Sequence, residues 1–514
     1  MHTALSHSLS AAARCTPVVD KLSTAQTPAT AENAGLNGEG EIPNRSSRAS
    51  RAPHAAATKS AARTATGPDA EPIGARPASD EYVWPLGVSA APADEYRLDC
   101  ATPGDHASIH QLLTSVFRGP SRDDFAAALE DPHYEPKDRL VVRRGSQVLA
   151  QVHLAERVLQ LGPHALPASI LYRLAVMPEY RGRGFGAKLL ARAESAMRAD
   201  GSLLGVLTTR IPHYFRRHGW VACIRHSHAQ VGARDVLAQL SARGFTPQVV
   251  DDELNIRPWR HVELPSLVRI YNAAVAGSHG PCQRTEAYWR WLVNRHAADG
   301  LLVALAGPNR FDFDVNDHAI VGYAIVRDDR VLELAAAPGC PGVKERLLAR
   351  ACGEAIERDH HVVQVNLAPD DSLWEVMQAA GCVAHRTESY QGEVTMVRLF
   401  DPVGYLRRLL PTLHDRAHEA RLKRPLALSL MVDDLSLRIT ISRRSVKVVR
   451  AAPGRCRLRI SEADFTRLLL GHLDIEQAAA EGRVGFTQRQ ALQAAKVLFP
   501  QLPLWRPPLD DLLV

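Results

Sequence analysis

Regularly spaced hydrophobic positions begin near residue 96 of this 514-residue chain. The preceding stretch, residues 1–92, is rich in Ala, Ser, Thr, Pro and Gly and contains few large apolar side chains. A segment of this composition cannot bury enough apolar surface to offset the entropy that is lost on ordering. We therefore predict that residues 1–92 form a disordered tail.

The pattern over residues 93–240 predicts a unit of mixed strands and helices. Apolar positions between 109 and 116 recur at helical spacing, and Gly145 separates two apolar runs as a hairpin turn does. The predicted elements are a strand at 96–98, a helix at 107–117, hairpin strands at 139–143 and 147–154, strands at 157–161 and 169–177, a helix at 185–197, a strand at 203–207 and a short helix before Gly219.

The following stretch, residues 241–400, repeats this order of elements but lacks a glycine-rich loop. Its predicted elements are a strand at 254–257, a helix at 264–274, an aromatic-rich segment around 289–291, a hairpin of 319–326 and 331–335, a helix at 343–357 and a strand at 362–365.

Residues 401–514 predict a third unit. A meander of strands is expected at 426–432, 435–441, 445–449 and 456–460. Ser461 and Asp464 then form a capping signal that opens a helix, and a further helix is predicted at 487–498.

One segment of the first unit carries a pattern suited to anion binding. An apolar strand ends at Pro178, a loop dense in Gly and Arg follows, and a helix begins within the loop, in the sequence Leu174-Ala175-Val176-Met177-Pro178-Glu179-Tyr180-Arg181-Gly182-Arg183-Gly184-Phe185-Gly186-Ala187. Helix N-termini present unpaired N–H groups and a positive dipole end. Glycines let the backbone approach a bulky anion closely. The segment therefore predicts a pyrophosphate cradle.

This segment resembles the acetyl-CoA loop of the GNAT superfamily of N-acetyltransferases. Arg181, Gly184 and Gly186 fit the superfamily pattern Arg/Gln-x-x-Gly-x-Gly/Ala. The resemblance implies a splayed strand before the loop whose main chain pairs with the pantetheine arm and polarises the thioester. The residues it assigns to acetyl-CoA are Leu174, Ala175, Val176, Arg181, Gly182, Arg183, Gly184, Phe185, Gly186 and Ala187.

The helix before Gly219 bears on the general acid. In the superfamily a tyrosine often stands four residues before this glycine and protonates the departing thiolate, but here Phe215 occupies that position. Tyr214 is adjacent and should point about 100° away on a helix. Tyr214 serves as the acid if the helix is rotated; otherwise water protonates the thiolate.

The attacking amine must be neutral, so a base is needed. Side chains near the expected cleft that offer one are those of His153, Glu156, His213 and His218. A different histidine pair, His226 and His228, does not by itself make a metal site, and no metal is expected.

The three-unit layout resembles the enhanced-intracellular-survival (Eis) type of acetyltransferase. The resemblance implies an α+β fold: a duplicated GNAT fold with a mixed, splayed sheet, followed by an α+β sterol-carrier-like domain. The implied division is a tail at 1–92, a GNAT domain at 93–240, a degenerate GNAT-like domain at 241–400 and the sterol-carrier-like domain at 401–514. In that family the carboxylate at the chain terminus acts as the base, so the resemblance assigns this role to Val514. The alternative is that the C-terminal residues form a frayed tail with no role in catalysis. The family also forms ring-shaped homo-oligomers, which the resemblance implies here.

Charge, hydropathy and cysteine content limit the kinds of partner and the compartment that we expect. The net charge of +6 is mild for this length, and the basic residues form no cluster typical of nucleic-acid binding. No apolar run reaches the length of a membrane span, and the eight cysteines are scattered, which favours a reduced, cytoplasmic protein.

Three functions remain open. The first is an N-acetyltransferase that moves an acetyl group from acetyl-CoA to a primary amine. The second is a CoA-binding regulatory protein that has lost catalysis, which the phenylalanine at position 215 would explain. The third is a lipid-binding protein that acts through its third domain.

Overall fold

The predicted strand before the glycine loop belongs to a long antiparallel pair at the centre of a mixed sheet. The computed structural model describes residues 96–223, 226–245, 254–295, 297–307, 319–387, 389–390 and 392–510. All of them lie in one compact unit, Val88–Val514. The tail predicted at 1–92 falls outside the described residues.

The first sheet has the strand order β1-β2-β3-β4-β5-β16-β15, in which the last two strands are Glu393–Leu399 (β16) and Ser389–Tyr390 (β15). We call this sheet, with its flanking helices, the first module. Its elements up to β6 follow the predicted order, except that helix α2 and strand β6 were not predicted. They are β1 (Arg97–Cys100), α1 (His106–Phe117), α2 (Arg122–Leu129), β2 (Arg139–Arg144), β3 (Gln147–Leu161), β4 (His164–Val176), α3 (Phe185–Ala199), β5 (Leu204–Thr209), α4 (Pro212–Arg216) and β6 (Val221–Ala222).

Two of the predicted strands are one. The prediction placed separate strands at 147–154 and 157–161, and this was wrong because β3 runs unbroken from Gln147 to Leu161. Ala155 is buried and Glu156 is exposed, so the alternation of a strand continues through the supposed gap. The long β3 pairs with β4 along its length, and this pair carries the glycine loop at its end.

The neighbouring strands β4 and β5 are parallel but separate before they end. Their pairing runs only from Ala168–Leu204 to Leu171–Leu207, although β4 continues to Val176 and β5 to Thr209. Beyond Leu171, therefore, β4 has no β5 partner. A β-bulge also interrupts its pairing with β3 at this point. Together these features open a V-shaped gap in the sheet next to the glycine loop.

The second sheet, which with its helices we call the second module, has the order β8-β10-β11-β12-β13-β7-β14. From residue 254 to residue 387, its helices and strands follow one another along the chain in the same order as those of the first module. The elements are β7 (His226–Gly232), α5 (Ala233–Ala242), β8 (Leu254–Pro258), α6 (Leu264–Val275), α7 (Glu286–Asn294), β10 (Gly300–Ala306), β11 (Ile320–Arg327), β12 (Arg330–Ala336), α8 (Val343–Glu357), β13 (Val362–Asn366), α9 (Trp374–Ala379) and β14 (Val383–Thr387). Three further strands of this stretch, β9 (His279–Cys282), β15 (Ser389–Tyr390) and β16 (Glu393–Leu399), belong to the first sheet.

The two modules exchange strands. β7 precedes the rest of the second module in the chain but pairs with β13, whereas β16 follows it and pairs with β5 of the first sheet. The sheets therefore cross the boundary predicted between residues 240 and 241, and the linear division of the chain into domains remains a prediction.

The third module begins at α10 and contains a sheet of order β19-β18-β17-β20-β21. The meander was wrong for its fourth strand, because β20 returns to pair parallel with β17. The elements are α10 (Pro402–Arg408), α11 (Leu410–Glu419), β17 (Leu426–Val432), β18 (Leu435–Ile441), β19 (Val446–Arg450), β20 (Arg457–Ile460), α12 (Glu462–Leu469), α13 (Ile475–Ala480), β21 (Val484–Phe486) and α14 (Arg489–Leu498).

The third module packs on the first. Leu166 and Ile170 of β4 share one continuous apolar core with Leu428 and Leu430 of β17. The predicted cap is also present, since the Ser461 side chain accepts a hydrogen bond from the Asp464 amide. Within the described part of the chain, no helix has the length and apolarity needed to cross a membrane.

Candidate active site

The glycine loop presents free backbone donors at the start of α3. Gly184 is the N-cap residue, with a φ of 79°, and no side chain caps the helix. The first intrahelical bond runs from the Lys188 amide to the Gly184 carbonyl over 3.0 Å. The amides of Phe185, Gly186 and Ala187 therefore have no intrahelical acceptor. The first turn also lacks an acidic residue, so nothing there repels an anion.

The two arginines of the loop are exposed, and Arg183 contacts two aromatic side chains. Arg183 donates to the Tyr96 hydroxyl over 3.2 Å and lies over the Tyr180 ring. Arg181 donates to the Val176 carbonyl over 3.4 Å. Gly182, with a φ of 78°, separates the two. Both guanidinium groups thus stand at the rim of the loop, where they can reach a phosphate.

Tyr214 faces the cleft and Phe215 does not. A Cβ atom added to Gly186 would lie 3.1 Å from the Tyr214 hydroxyl and 3.8 Å from a methyl group of Val176. That hydroxyl is buried and has no hydrogen-bond partner among the described residues. Phe215 is instead 4% exposed and packs with Trp220 in the core. Tyr214 thus points away from Phe215, as expected for neighbouring positions of a helix, and the orientation of α4 places its hydroxyl beside Gly186 of α3 and Val176 of β4.

The environment of Tyr214 keeps its proton in place. Burial raises the pKa of the phenol above its usual value. The group is therefore neutral at physiological pH and can donate a hydrogen bond or a proton. The missing partner and the glycine beside it leave room for a ligand atom at this hydroxyl.

A hydrogen-bond chain supports the bulge on the other face of the sheet. His106 bonds the Tyr134 hydroxyl over 2.9 Å, and Arg139 donates to the same hydroxyl over 3.2 Å. Arg139 also donates to the side-chain oxygen of Gln151 over 3.3 Å. Gln151 then donates to the Arg173 carbonyl over 2.6 Å. This chain fixes Arg173, whose φ is 50°, at the bulge.

The four candidate bases differ in how far they are buried. His153 is 4% exposed, and burial, with Arg139 and other guanidinium groups nearby, holds its pKa well below the usual value. Its ring is therefore neutral. Glu156 and His213 are exposed, and His218 is half-buried beside the Tyr214 ring.

Two further points of the sequence analysis concern the terminal carboxylate and metal binding. Val514 lies outside the described residues, which end at Asp510. In the described part of the chain, no group of three or more His, Cys, Asp or Glu side chains is arranged to hold a metal ion. His228 stacks on His385 across a pair of strands, with ring centroids 4.7 Å apart.

The sequence analysis missed Arg139 and Arg173. The spacing of leucines around Arg173 offered a signal. Leu171 and Leu174 are three residues apart, yet both pack in the core that contains α3. Strict alternation would place them on opposite faces, so an arginine between them marks a bulge. Arg139 carried no such signal, since its position beside the bulge depends on the register of three strands.

The match to a known family falls on this same region. Residues 97–223 match the family model described as the acetyltransferase (GNAT) domain. The GNAT match includes the whole glycine loop, the splayed strand and the helix that carries Tyr214. It ends before the strand exchange begins.

A named relative is similar to part of the chain. The chain is 33% identical over 129 residues to a protein named amino-acid acetyltransferase from Pseudomonas putida. That alignment covers 23% of this chain and 30% of the relative. The chain thus covers less than a third of the relative's length.

Solved structures share the fold over most of the chain. A GCN5-related N-acetyltransferase from Anabaena variabilis has a TM-score of 0.61 and 16% identity, with 80% of this chain and 99% of that chain covered. Eis1 from Mycobacterium abscessus has a TM-score of 0.56 and 16% identity, over 80% and 98% of the two chains. The chain therefore shares the overall fold of these solved structures.

Proposed function

We propose that this protein is an N-acetyltransferase that moves an acetyl group from acetyl-CoA to a primary amine. The observation that carries the proposal is the conjunction at one point of three features. These are the uncapped start of α3, the β4–β5 gap and the unpartnered Tyr214 hydroxyl. The family match over residues 97–223 supports the same reaction.

The first feature binds the cosubstrate. The pyrophosphate of acetyl-CoA accepts hydrogen bonds from the amides of Phe185, Gly186 and Ala187, and the rim arginines add charge. The pantetheine arm lies in the gap and pairs with the free edge of Leu174 to Val176, in the manner of an added strand. A backbone N–H of this edge polarises the thioester carbonyl.

The chemical step is a direct transfer. The neutral amine nitrogen attacks the thioester carbonyl carbon, the C–N bond forms and the C–S bond breaks. Tyr214 gives its proton to the departing thiolate, and the amine's proton leaves to a base. Because a thiol has a pKa of about 8.5, the thiolate is a tolerable leaving group, so Tyr214 accelerates the step without being indispensable.

Phe215 no longer favours a regulatory protein that has lost catalysis. That alternative rested on the absence of a proton donor, and Tyr214 supplies one at the cleft. We also expect a three-part domain organisation and a cytoplasmic homo-oligomer. The sterol-carrier-like third part serves as a scaffold, since its sheet is packed on the first module.

The test is thiol release from acetyl-CoA with a panel of primary amines, with the acetylated products identified by mass. A parallel variant carries Gly184→Glu and Gly186→Glu, which place carboxylates in the cradle. Turnover that disappears in this variant supports the proposal. Binding of CoA without thiol release for any amine contradicts it and restores the regulatory reading.

A further inference from the structure

The face of the sheet opposite α3 carries a row of polar and aromatic side chains that leads to the β4–β5 gap. Arg139 of β2 is the register partner of His153 of β3, and His153 is the partner of Tyr172 of β4. The His153 ring lies 5.3 Å from Tyr134 and 5.8 Å from Tyr172, measured between centroids. Arg173 follows directly at the bulge. The row therefore ends where an acceptor must meet the thioester.

The positive charge in this row is not balanced by the described residues. Arg139 is 3% exposed, yet its hydrogen-bond acceptors are the neutral Tyr134 hydroxyl and the neutral Gln151 amide. Its guanidinium also lies over the rings of Phe125 and Tyr134, 5.3 Å from each centroid, and it forms no ion pair with a described carboxylate. Burying a guanidinium without a carboxylate is costly, so such a group is typical of a site that binds an anion.

Arg157 shows the contrast within the same cluster. It is also buried, but it donates to the Asp131 carboxylate over 2.7 Å and to the Glu156 carbonyl. Its charge is therefore matched. Arg173, by comparison, is half-buried and makes no side-chain hydrogen bond or ion pair with the described residues. The excess charge therefore belongs to Arg139 and Arg173.

Electrostatics agree with this assignment. Burial and the neighbouring Arg139 lower the pKa of Arg173 to about 10. The carboxylate of Asp124 has the opposite effect and raises the pKa of Arg173, but Asp124 lies exposed on α2. A bound anion would relieve this repulsion.

We infer that the acceptor is an amino-acid-like molecule, a primary amine that also bears a carboxylate, and that Arg139 and Arg173 hold this carboxylate. The inference rests on the proposed function. An α-amino acid places its amine two bonds from the carboxylate, so a carboxylate held at the bulge presents the nitrogen at the gap. Tyr172 and His153 line the path between them. Polycationic acceptors are disfavoured, because they would meet two unpaired guanidinium groups.

The experiment compares matched acceptors. Thiol release is measured with a panel of α-amino acids and, for each, the corresponding amino-acid amide and decarboxylated amine. The variants are Arg173→Gln, which removes the charge, and Arg173→Lys, which keeps it. Arg234→Gln, an exposed position on α5, is the control. Arg173 carries the test, because Arg139 is buried and its substitution is expected to destabilise the fold.

The expected result is a preference of at least about tenfold in kcat/KM for some amino acid over its amide, since charge-assisted hydrogen bonds are worth that much. Arg173→Gln should raise KM for that amino acid by about tenfold, with kcat and the KM for acetyl-CoA nearly unchanged. Arg173→Lys should recover part of the loss, and Arg234→Gln should behave as the wild type.

Two results overturn the inference. Amides or decarboxylated amines that react as well as the amino acids would remove the carboxylate requirement while leaving acetyl transfer intact. An equal effect of Arg173→Gln on charged and uncharged acceptors would make its role structural. Absence of thiol release with every member of both sets would instead refute the proposed function, and the inference with it.

Discussion

The first and second modules place a helix at the same point of their sheet orders, but the surroundings of the two helix starts differ. Both α3 and α8 begin after a glycine in the left-handed region, Gly184 and Gly342. A Cβ added at Gly184 would meet nothing within 4 Å. At Gly342 it would lie 2.8 Å from the Phe245 ring. The first turn of α8 also contains Glu345, which repels phosphate.

The bulges differ in the same way. β12 carries a bulge beside Glu333, as β4 does beside Arg173. Glu333 is buried and receives two hydrogen bonds from Arg284, over 3.0 and 2.8 Å, and Arg284 also bonds Asp510 over 2.9 Å. The corresponding face of the second module is thus closed by satisfied charges.

The comparison shows that topology alone does not make a site. The two modules share the order of strands and the bulge. The first has an open helix start and an unpartnered Tyr214 hydroxyl, whereas in the second a ring lies over the glycine at the helix start and the buried Glu333 is paired with Arg284. Unsatisfied groups persist where a ligand completes them. We therefore place ligand binding in the first module and assign the second to support.

The largest expected difference concerns the two arginines at the bulges. Arg284→Met should lower the free energy of unfolding by about 3–5 kcal/mol, because it leaves Glu333 and Asp510 buried without their cation. Arg173→Met should change it by less than about 1 kcal/mol. Urea unfolding measures both. Equal losses would show that Arg173 is a structural residue and would break the contrast.

The next difference concerns the two helix starts. Gly186→Glu should weaken acetyl-CoA binding by about a hundredfold or more, because it sets a carboxylate against the pyrophosphate. Lys344→Glu, at the same position of α8, should leave the dissociation constant unchanged. Calorimetric titration provides the measurement. A loss of affinity in the Lys344 variant would move the site to the second module.

A smaller effect is expected at the proton donor. Tyr214→Phe should lower kcat by about tenfold with little change in the affinity for acetyl-CoA. Exchanging the two residues, as Tyr214→Phe with Phe215→Tyr, should not restore the rate, because position 215 lies in the core. Steady-state kinetics at saturating acetyl-CoA test this. Recovery in the exchanged variant would contradict the observed helix orientation.

The pH profile follows from the same group. Since burial raises the pKa of Tyr214, the acid form persists to higher pH than in a free tyrosine. Its proton is therefore lost only above about pH 10, and kcat should show no alkaline decline from this group below that pH. A decline near neutral pH that is absent in Tyr214→Phe would show that the pKa is lowered instead.

The smallest effect is expected from opening the second module. Phe245→Ala removes the ring above Gly342, but Glu345 and the closed bulge remain. The variant should therefore still bind one acetyl-CoA per chain, which titration shows directly. A second equivalent of bound acetyl-CoA would mean that the ring alone keeps the second module empty.

Local features of the site could be predicted from the sequence, because short-range rules govern them. The loop with Gly184 and Gly186 follows an apolar strand and opens a helix, and this order is visible in one stretch of chain. The phase of α4 was not predicted, because packing of Phe215 against Trp220 sets it, and this decides where Tyr214 points.

Non-local pairing explains the other differences. Nothing near β16 in the chain shows that Glu393–Leu399 completes the first sheet beside β5, since pairing partners over 180 residues apart leave no local pattern. The row of Arg139, His153 and Tyr172 depends in the same way on the register of three strands. Such residues become visible only when the sheet is assembled.

The most direct test of the central claim is hydrogen exchange of the full-length protein with and without acetyl-CoA, read out by peptide. The account predicts new protection over residues 174–187, at the strand edge and the start of α3, and none over residues 339–346 at the start of α8. Protection of residues 339–346, or no protection over 174–187 at saturating acetyl-CoA, would contradict the assignment of the site to the first module.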